Sequence, residues 1–152
     1  MLSIKKAMFG LVLACFTWAS SATDLKNYFS ESVFRCMYQN PISRSVVITE
    51  YREDGSYSGT QQIQASKLGE PKMEAMVEFN GSWHVSYDSL HTQVEHYEMR
   101  PTNPLGEKLV AVMHDSAKAI DPISSIRVKV ESRDQYIEAS RDSKARCYRV
   151  YQ

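Results

Sequence analysis

Short runs in which apolar and polar residues alternate constrain the fold of this chain more than any other feature. The longest run extends from residue 73 to residue 87, and period two is typical of strands with one buried face. Asn80-Gly81 divides this run and predicts a hairpin turn, since both residues tolerate positive φ. Matching of the apolar faces favours a three-residue loop that places Val77 opposite Trp83. The apolar positions of the run are Met73, Ala75, Val77, Phe79, Trp83, Val85 and Tyr87.

The same alternation recurs along most of the chain. Asp88-Ser89 predicts a second turn, after which Leu90, Thr92 and Val94 continue the buried parity. The count is about eight strands in sequential order, and short connections favour an up-and-down antiparallel barrel over a Greek-key sandwich. The other strands are predicted at 32–38, on both sides of a type I′ turn at Asp54-Gly55, and within 123–134, 135–140 and 144–151, with a last turn near 141–144.

Two segments depart from the strand pattern. Thr23 begins a short predicted N-terminal helix that carries Leu25, Tyr28 and Phe29 on one side. The segment 101–121 is a helical or irregular insertion, with Asn103 and Pro104 as a candidate cap and first-turn pair. A strand at 108–113 is the alternative for part of that insertion, because Leu109, Ala111 and Met113 also alternate.

The first 22 residues predict a secretory signal peptide. Lys5 and Lys6 precede an apolar run, and small residues end the segment at Ala22, where we expect cleavage. A mature domain at 23–152 would then be periplasmic or secreted, with no second apolar run long enough to span a bilayer. The alternative is a lipid anchor on Cys15, because Val12 to Cys15 loosely resembles a lipoprotein cleavage motif.

Export and barrel closure together predict a disulfide between two cysteines. Cys36 and Cys147 remain once the predicted signal peptide is removed, and an even pair in an exported chain indicates a disulfide. If the barrel closes, its first and last strands are neighbours, and a Cys36–Cys147 bridge would lock that seam.

Several motifs resemble the lipocalin-like domains of small exported bacterial proteins. They are YREDGSYSG at 51–59, NGSWHVSYDSL at 80–90 and SIRVKVESRD at 125–134, followed by a final strand with a cysteine. Within the second motif, Gly81, Trp83, Val85 and Leu90 match a G-x-W-x-V-x4-L pattern. The resemblance covers about residues 35 to 151 and implies a barrel fold. The chain lacks the N-terminal G-x-W strand and the C-terminal helix of true lipocalins.

The densest group of possible metal ligands is HTQVEHYE at 91–98. His91 and His96 differ in strand parity and are expected on opposite faces, and the chain has no H-E-x-x-H or C-x-x-C motif. No G-x-S-x-G nucleophile motif occurs either. We therefore predict no metal, no cofactor and no enzymatic activity. The basic residues form no block, which argues against nucleic acid as a partner.

Aromatic residues are the best candidates for a binding role. Tyr57, Trp83, Tyr87 and Tyr97 could line a barrel mouth, where an apolar ring with a polar tip suits an amphiphile, although ordinary core packing is the other interpretation. The leading hypothesis is a non-enzymatic barrel that binds a small apolar or amphiphilic ligand or an envelope component. The alternative is a protein-binding module, such as an inhibitor or immunity-type protein, that uses the loop at 100–122.

Overall fold

The fold is a closed antiparallel β-barrel of eight strands, seen in a computed structural model that describes residues 22–66, 69–118, 122–139 and 144–151. Residues 1–21 of the predicted signal peptide, which include Cys15, and residues 141–143 of the predicted last turn lie outside these residues. The elements are α1 (Ala22–Phe29), β1 (Ser32–Gln39), β2 (Ser43–Tyr51), β3 (Ser56–Ala65), β4 (Met73–Ser86), β5 (Ser89–Pro101), α2 (Gly106–Ala117), β6 (Ile123–Ser132), β7 (Gln135–Ala139) and β8 (Lys144–Val150).

Strand order around the barrel follows the chain, and β8 pairs with β1 to close it. Cys36 lies directly opposite Cys147 in that last pairing, and their sulfur atoms are bonded. The predicted up-and-down barrel and the predicted disulfide are both confirmed. The bridge joins residues 111 apart in sequence, at the seam between the first and last strands.

The predicted turn at Asn80-Gly81 is wrong. Strand β4 runs without interruption through this dipeptide, and Val77 pairs with Gln61 on β3 and Met99 on β5. The register between β4 and β5 instead shifts at Asn80/Gly81, which is a β-bulge. Trp83 therefore belongs to the same strand as Val77 and cannot lie opposite it.

Close packing explains why residue 81 is glycine. A Cβ atom there would lie 1.9 Å from the carbonyl oxygen of Gln93 and 3.0 Å from the ring of Tyr57. A glycine inside a strand often marks such a close approach or a bulge rather than a turn. The local Asn-Gly signal is thus overridden by tertiary packing.

Two further predictions, one for the parity of Tyr87 and one for the turn after β2, also need correction. Tyr87 does not continue the inward parity of β4, because it lies in the β4–β5 turn with φ 55° and a side chain that is 83% exposed. The β2–β3 connection is longer than a two-residue type I′ turn, since the N–H of Arg52 donates to Ser56 and that of Gly55 donates to Arg52. Gly55 supplies the positive φ.

The insertion contains a helix, α2, which packs on β4 and β5. Its first residue, Gly106, lies so close to Glu74 that a Cβ would be 2.0 Å from the Glu74 carbonyl oxygen. Asn103 does not cap α2 as predicted. Its side chain accepts a hydrogen bond from the Glu74 N–H and donates one to the Lys72 carbonyl, so it fastens the loop to β4.

Helix α1 fills one end of the barrel. Leu25 and Phe29 recur at a helical interval and are both buried, which gives α1 one apolar face. Neither α1 nor α2 is long and apolar enough to cross a membrane, and the same holds for every helix among the described residues.

Candidate functional site

The end of the barrel that α1 occupies, here called the closed end, is packed with aromatic rings. The ring of Phe29 lies 5.0 to 6.3 Å from each of four inward-facing rings. Edge-to-face geometry predominates, which is favourable for aromatic pairs at these distances. All of these side chains are buried, so this half is a filled core. The four rings belong to Phe34, Tyr51, Trp83 and Tyr136.

Arg149 seals the closed end beneath α1. Its guanidinium carbon lies 4.8 Å from the ring centre of Phe34 and 5.0 Å from that of Tyr28. Its nitrogens donate to the Tyr28 carbonyl, the Ser32 hydroxyl and the Arg133 carbonyl. These contacts tie α1 to β8, so Arg149 has a structural role.

At the opposite end of the barrel, here called the mouth, several inward-facing side chains are only partly buried. Pairing registers place its residues on the inner wall with buried Ala75 and Val77, yet their side chains remain partly exposed. They combine aliphatic and aromatic side chains with one amide and three hydroxyls. An inner wall of this composition is typical of small-molecule sites. The mouth residues are Tyr38, Ser45, Val47, Gln61, Ile63, Tyr97 and Met99.

A carboxylate lies between the closed end and the mouth. Glu138 is only 6% exposed, and two tyrosine hydroxyls donate to it, Tyr38 at 2.5 Å and Tyr136 at 3.1 Å. Tyr136 belongs to the buried core, whereas Tyr38 is a mouth residue. The network therefore runs from the core to the partly exposed wall.

Burial determines how this cluster titrates. It raises the pKa of the Glu138 carboxyl above its ordinary value, and the hydrogen bonds from Tyr38 and Tyr136 offset part of that rise. Burial and the Glu138 charge likewise raise the pKa values of Tyr38 and Tyr136. Both tyrosines keep their protons at neutral pH and remain donors.

The disulfide lies beside this network. The Cys36 sulfur is 3.5 Å from the Tyr136 hydroxyl oxygen and 3.9 Å from Glu138 Oε1. Because that sulfur is in a disulfide, it carries no proton to donate. Cys36, Glu138 and Cys147 are also the one group of potential metal ligands among the described residues. The bridge leaves neither cysteine as a thiolate, which is the form that binds metals.

The four aromatic residues predicted to line a mouth do not come together. Tyr57 and Trp83 lie buried at the closed end, where the Trp83 indole N–H donates to the Arg52 carbonyl at 3.0 Å. Tyr97 pairs with inward-facing Phe79 and so lies at the mouth on the same face as Met99, with its ring 6.3 Å from that of His114 on α2. Tyr87 lies in an exposed turn. Sequence reasoning missed Glu138, although Tyr136 and Glu138 share one parity within QYIEA.

The prediction that His91 and His96 lie on opposite faces is wrong. The bulge at Asn80/Gly81 adds a residue to β5, so His91 pairs with His84 and His96 with Asn80, all on the outer wall. Those partners are four residues apart on β4, or about 13 Å. The two histidines are therefore too far apart to share a metal ion.

Replacement of Glu138 by glutamine is expected to change how stability depends on pH. The folded-state pKa of Glu138 is raised, so its contribution is fully present below the unfolded-state pKa and is lost as pH rises through the folded-state pKa. Between these two values, wild type should lose about 1.4 kcal/mol per pH unit relative to Glu138→Gln. Urea unfolding of both proteins from pH 4 to 8 measures this difference, and parallel curves would contradict the assignment.

No protein-family model matches the chain, and no curated protein sequence is significantly similar to it.

Proposed function

We propose that the protein binds a small apolar or amphiphilic molecule in the mouth of the barrel, without catalysing a reaction. The difference in burial between the two ends of the inner wall supports this proposal. The inward-facing aromatic rings around Phe29 are buried at the closed end, whereas Val47, Ile63 and Met99 on the inner wall remain partly exposed at the mouth. A ligand that covered Val47, Ile63 and Met99 would bury the apolar surface that the fold leaves uncovered.

The polar end of such a ligand would lie against Tyr38 and Glu138. Because the Tyr38 hydroxyl donates its one proton to Glu138, its oxygen would accept a hydrogen bond from a donor group on the ligand. A site with an apolar wall and a few fixed polar groups suits a molecule with both characters. The lipocalin-like resemblance is in keeping with this proposal but remains a prediction.

We also propose that the protein acts in an exported compartment, periplasmic or secreted. A disulfide is stable in oxidising compartments and rare in the cytosol, so the Cys36–Cys147 bridge is compatible with export. The predicted signal peptide supports the same location.

The alternative, a protein-binding module that uses residues 100–122, has less support. Val112 is 64% exposed on α2, but Leu109, Val110 and Met113 are partly covered. One exposed valine is ordinary on a protein surface and does not make an apolar patch. We therefore favour the mouth.

Two neighbouring valines on β2 allow a matched test. Val47 lies on the inner wall and pairs with Cys36 and Gln61, whereas Val46 lies on the outer wall and pairs with Met37 and Gln62. Val47→Trp should fill the mouth and weaken binding of the neutral fluorescent probe N-phenyl-1-naphthylamine at least about tenfold, since one well-buried aromatic group corresponds to more than 1.4 kcal/mol.

Val46→Trp is the control and should leave the probe affinity close to that of wild type. Fluorescence titration of the three proteins gives the dissociation constants, and thermal melts confirm that each variant folds. Failure of wild type to bind the probe, or an equal loss in both variants, would contradict a site inside the mouth.

A further inference from the structure

Cations that are scattered in the sequence lie together on one side of the outer wall of the barrel. On β1, β6, β7 and β8, the outward-facing positions carry five cations, whereas Glu131 is the one carboxylate among them. The five cations, here called the basic face, are Arg35, Arg127, Lys129, Lys144 and Arg146, and all are exposed.

Strand register brings these cations close to one another. Arg146 pairs with Met37 on β1 and Ile137 on β7, and Ile137 pairs with Lys129 on β6. In the next row, Lys144 and Arg127 both pair with Ala139. Adjacent strands are about 4.8 Å apart, so the cations of one row lie within about 10 Å of each other.

Few acidic groups neutralise the basic face. Within the described residues, Arg127 is the one cation of the five that forms an ion pair, with Asp88 at 3.3 Å. Glu131 accepts a hydrogen bond from Gln135 near the β6–β7 turn. The face thus keeps most of its positive charge, and like charges this close repel unless an anion lies among them.

Apolar side chains are interleaved with the cations. Met37 and Tyr148 are each 42% exposed and lie beside Arg146 and Arg35 in the register. A groove of about 460 Å³ also crosses the face, lined by the three cations Arg127, Lys129 and Lys144 and by Asp88, whose carboxylate pairs with Arg127. The surface therefore combines positive charge, exposed apolar groups and a recess for a small anion.

We propose that the basic face docks on the surface of an anionic lipid bilayer, with headgroup phosphates in this groove. Lysine and arginine attract anionic headgroups, and tyrosine and methionine suit the boundary between headgroups and acyl chains. Nucleic acid would use the charge but not the apolar side chain of Met37.

A second copy of the chain fits the basic face less well. The opposite wall carries Glu50, Glu78 and Glu98 around a groove of about 500 Å³. Arg52 and Arg100 already pair with two of these carboxylates, at 2.8 and 2.7 Å. Little charge remains there to complement the basic face of a neighbour.

The test compares two charge-reversed proteins with the same net charge. Lys129→Glu with Arg146→Glu alters the basic face, whereas Arg44→Glu with Lys108→Glu alters exposed cations of β2 and α2. Both pairs are made in the full chain as the cell processes it, so any contribution of the N-terminal segment is shared. Co-sedimentation with phosphatidylcholine vesicles containing 30% phosphatidylglycerol measures binding, with pure phosphatidylcholine as the reference.

Wild type and the Arg44/Lys108 variant should bind the anionic vesicles and should not bind the pure phosphatidylcholine vesicles. The Lys129/Arg146 variant should bind at least about tenfold more weakly, because each cation near an anionic surface contributes roughly one kcal/mol. Equal binding by the two variants, no binding by wild type, or equally tight binding of wild type to duplex DNA at the same salt would overturn the proposal. Lys129→Gln with Arg146→Gln repeats the test if the reversed variant does not fold.

Discussion

Replacement of Trp83 by alanine is expected to lower the free energy of unfolding by about 3–5 kcal/mol, the usual cost of removing a buried tryptophan. The indole lies 5.5 Å from the ring of Tyr51 and 6.3 Å from that of Phe29, and its N–H donates to the Arg52 carbonyl. The substitution leaves a cavity beside α1 and an acceptor without its donor. A loss of this size threatens a domain of ordinary stability.

Urea unfolding of Trp83→Ala and Tyr87→Ala gives the comparison. Tyr87 is an aromatic residue four positions along the chain, but its side chain is exposed, so its removal should change stability by no more than about 0.5 kcal/mol. Trp83→Phe should fall between the two, since it keeps a ring and loses the hydrogen bond. Similar midpoints for Trp83→Ala and Tyr87→Ala would refute a packed closed end.

Removal of the disulfide is expected to cost about 2–5 kcal/mol. The bridge closes a loop of 111 residues, and the chain-entropy model assigns about 4.7 kcal/mol to a loop of roughly 100 residues. Cys36→Ser with Cys147→Ser should therefore shift the urea midpoint strongly. The buried site adds to the cost, because each new hydroxyl needs a hydrogen-bond partner.

Thiol labelling of the denatured wild-type protein without reductant checks the bridge directly. Neither Cys36 nor Cys147 should react before reduction, and both should react after it. Labelling of both residues in the unreduced protein, together with wild-type stability of the double-serine variant, would contradict a bridged seam.

Alternation in the sequence was sufficient to predict the barrel, because each strand buries one face against a shared interior. The disulfide was predicted because Cys36 and Cys147 are the even pair left after the predicted signal peptide, and barrel closure makes their strands neighbours; the structure has both features. The strands are predictable because their alternation depends only on residue type at a fixed period.

The bulge at Asn80/Gly81 could not be predicted in the same way. Asn-Gly is a strong local turn signal, and the contacts that require a glycine come from Gln93 and Tyr57, on two other strands. The same bulge reversed the expected relation of His91 and His96, since one extra residue changes the parity of everything beyond it.

The candidate site could not be predicted from the sequence for a different reason. A glutamate in a strand is expected to face solvent, so Glu138 was not among the predicted site residues although its parity matches that of buried Tyr136. The hydroxyl of Tyr38, which donates to Glu138, lies 100 residues away in sequence. The basic face likewise combines residues from three strands, β1, β6 and β8, so its cations form no charged block along the chain.

Native mass spectrometry of protein purified from its own cells tests the proposed function most directly. Wild type and Val46→Trp should each carry an added mass of a small molecule that is lost on denaturation, because their mouths are equally accessible. Val47→Trp should lack that mass, since its indole occupies the mouth. A bare wild-type protein, or the same added mass on Val47→Trp, would contradict ligand binding inside the barrel.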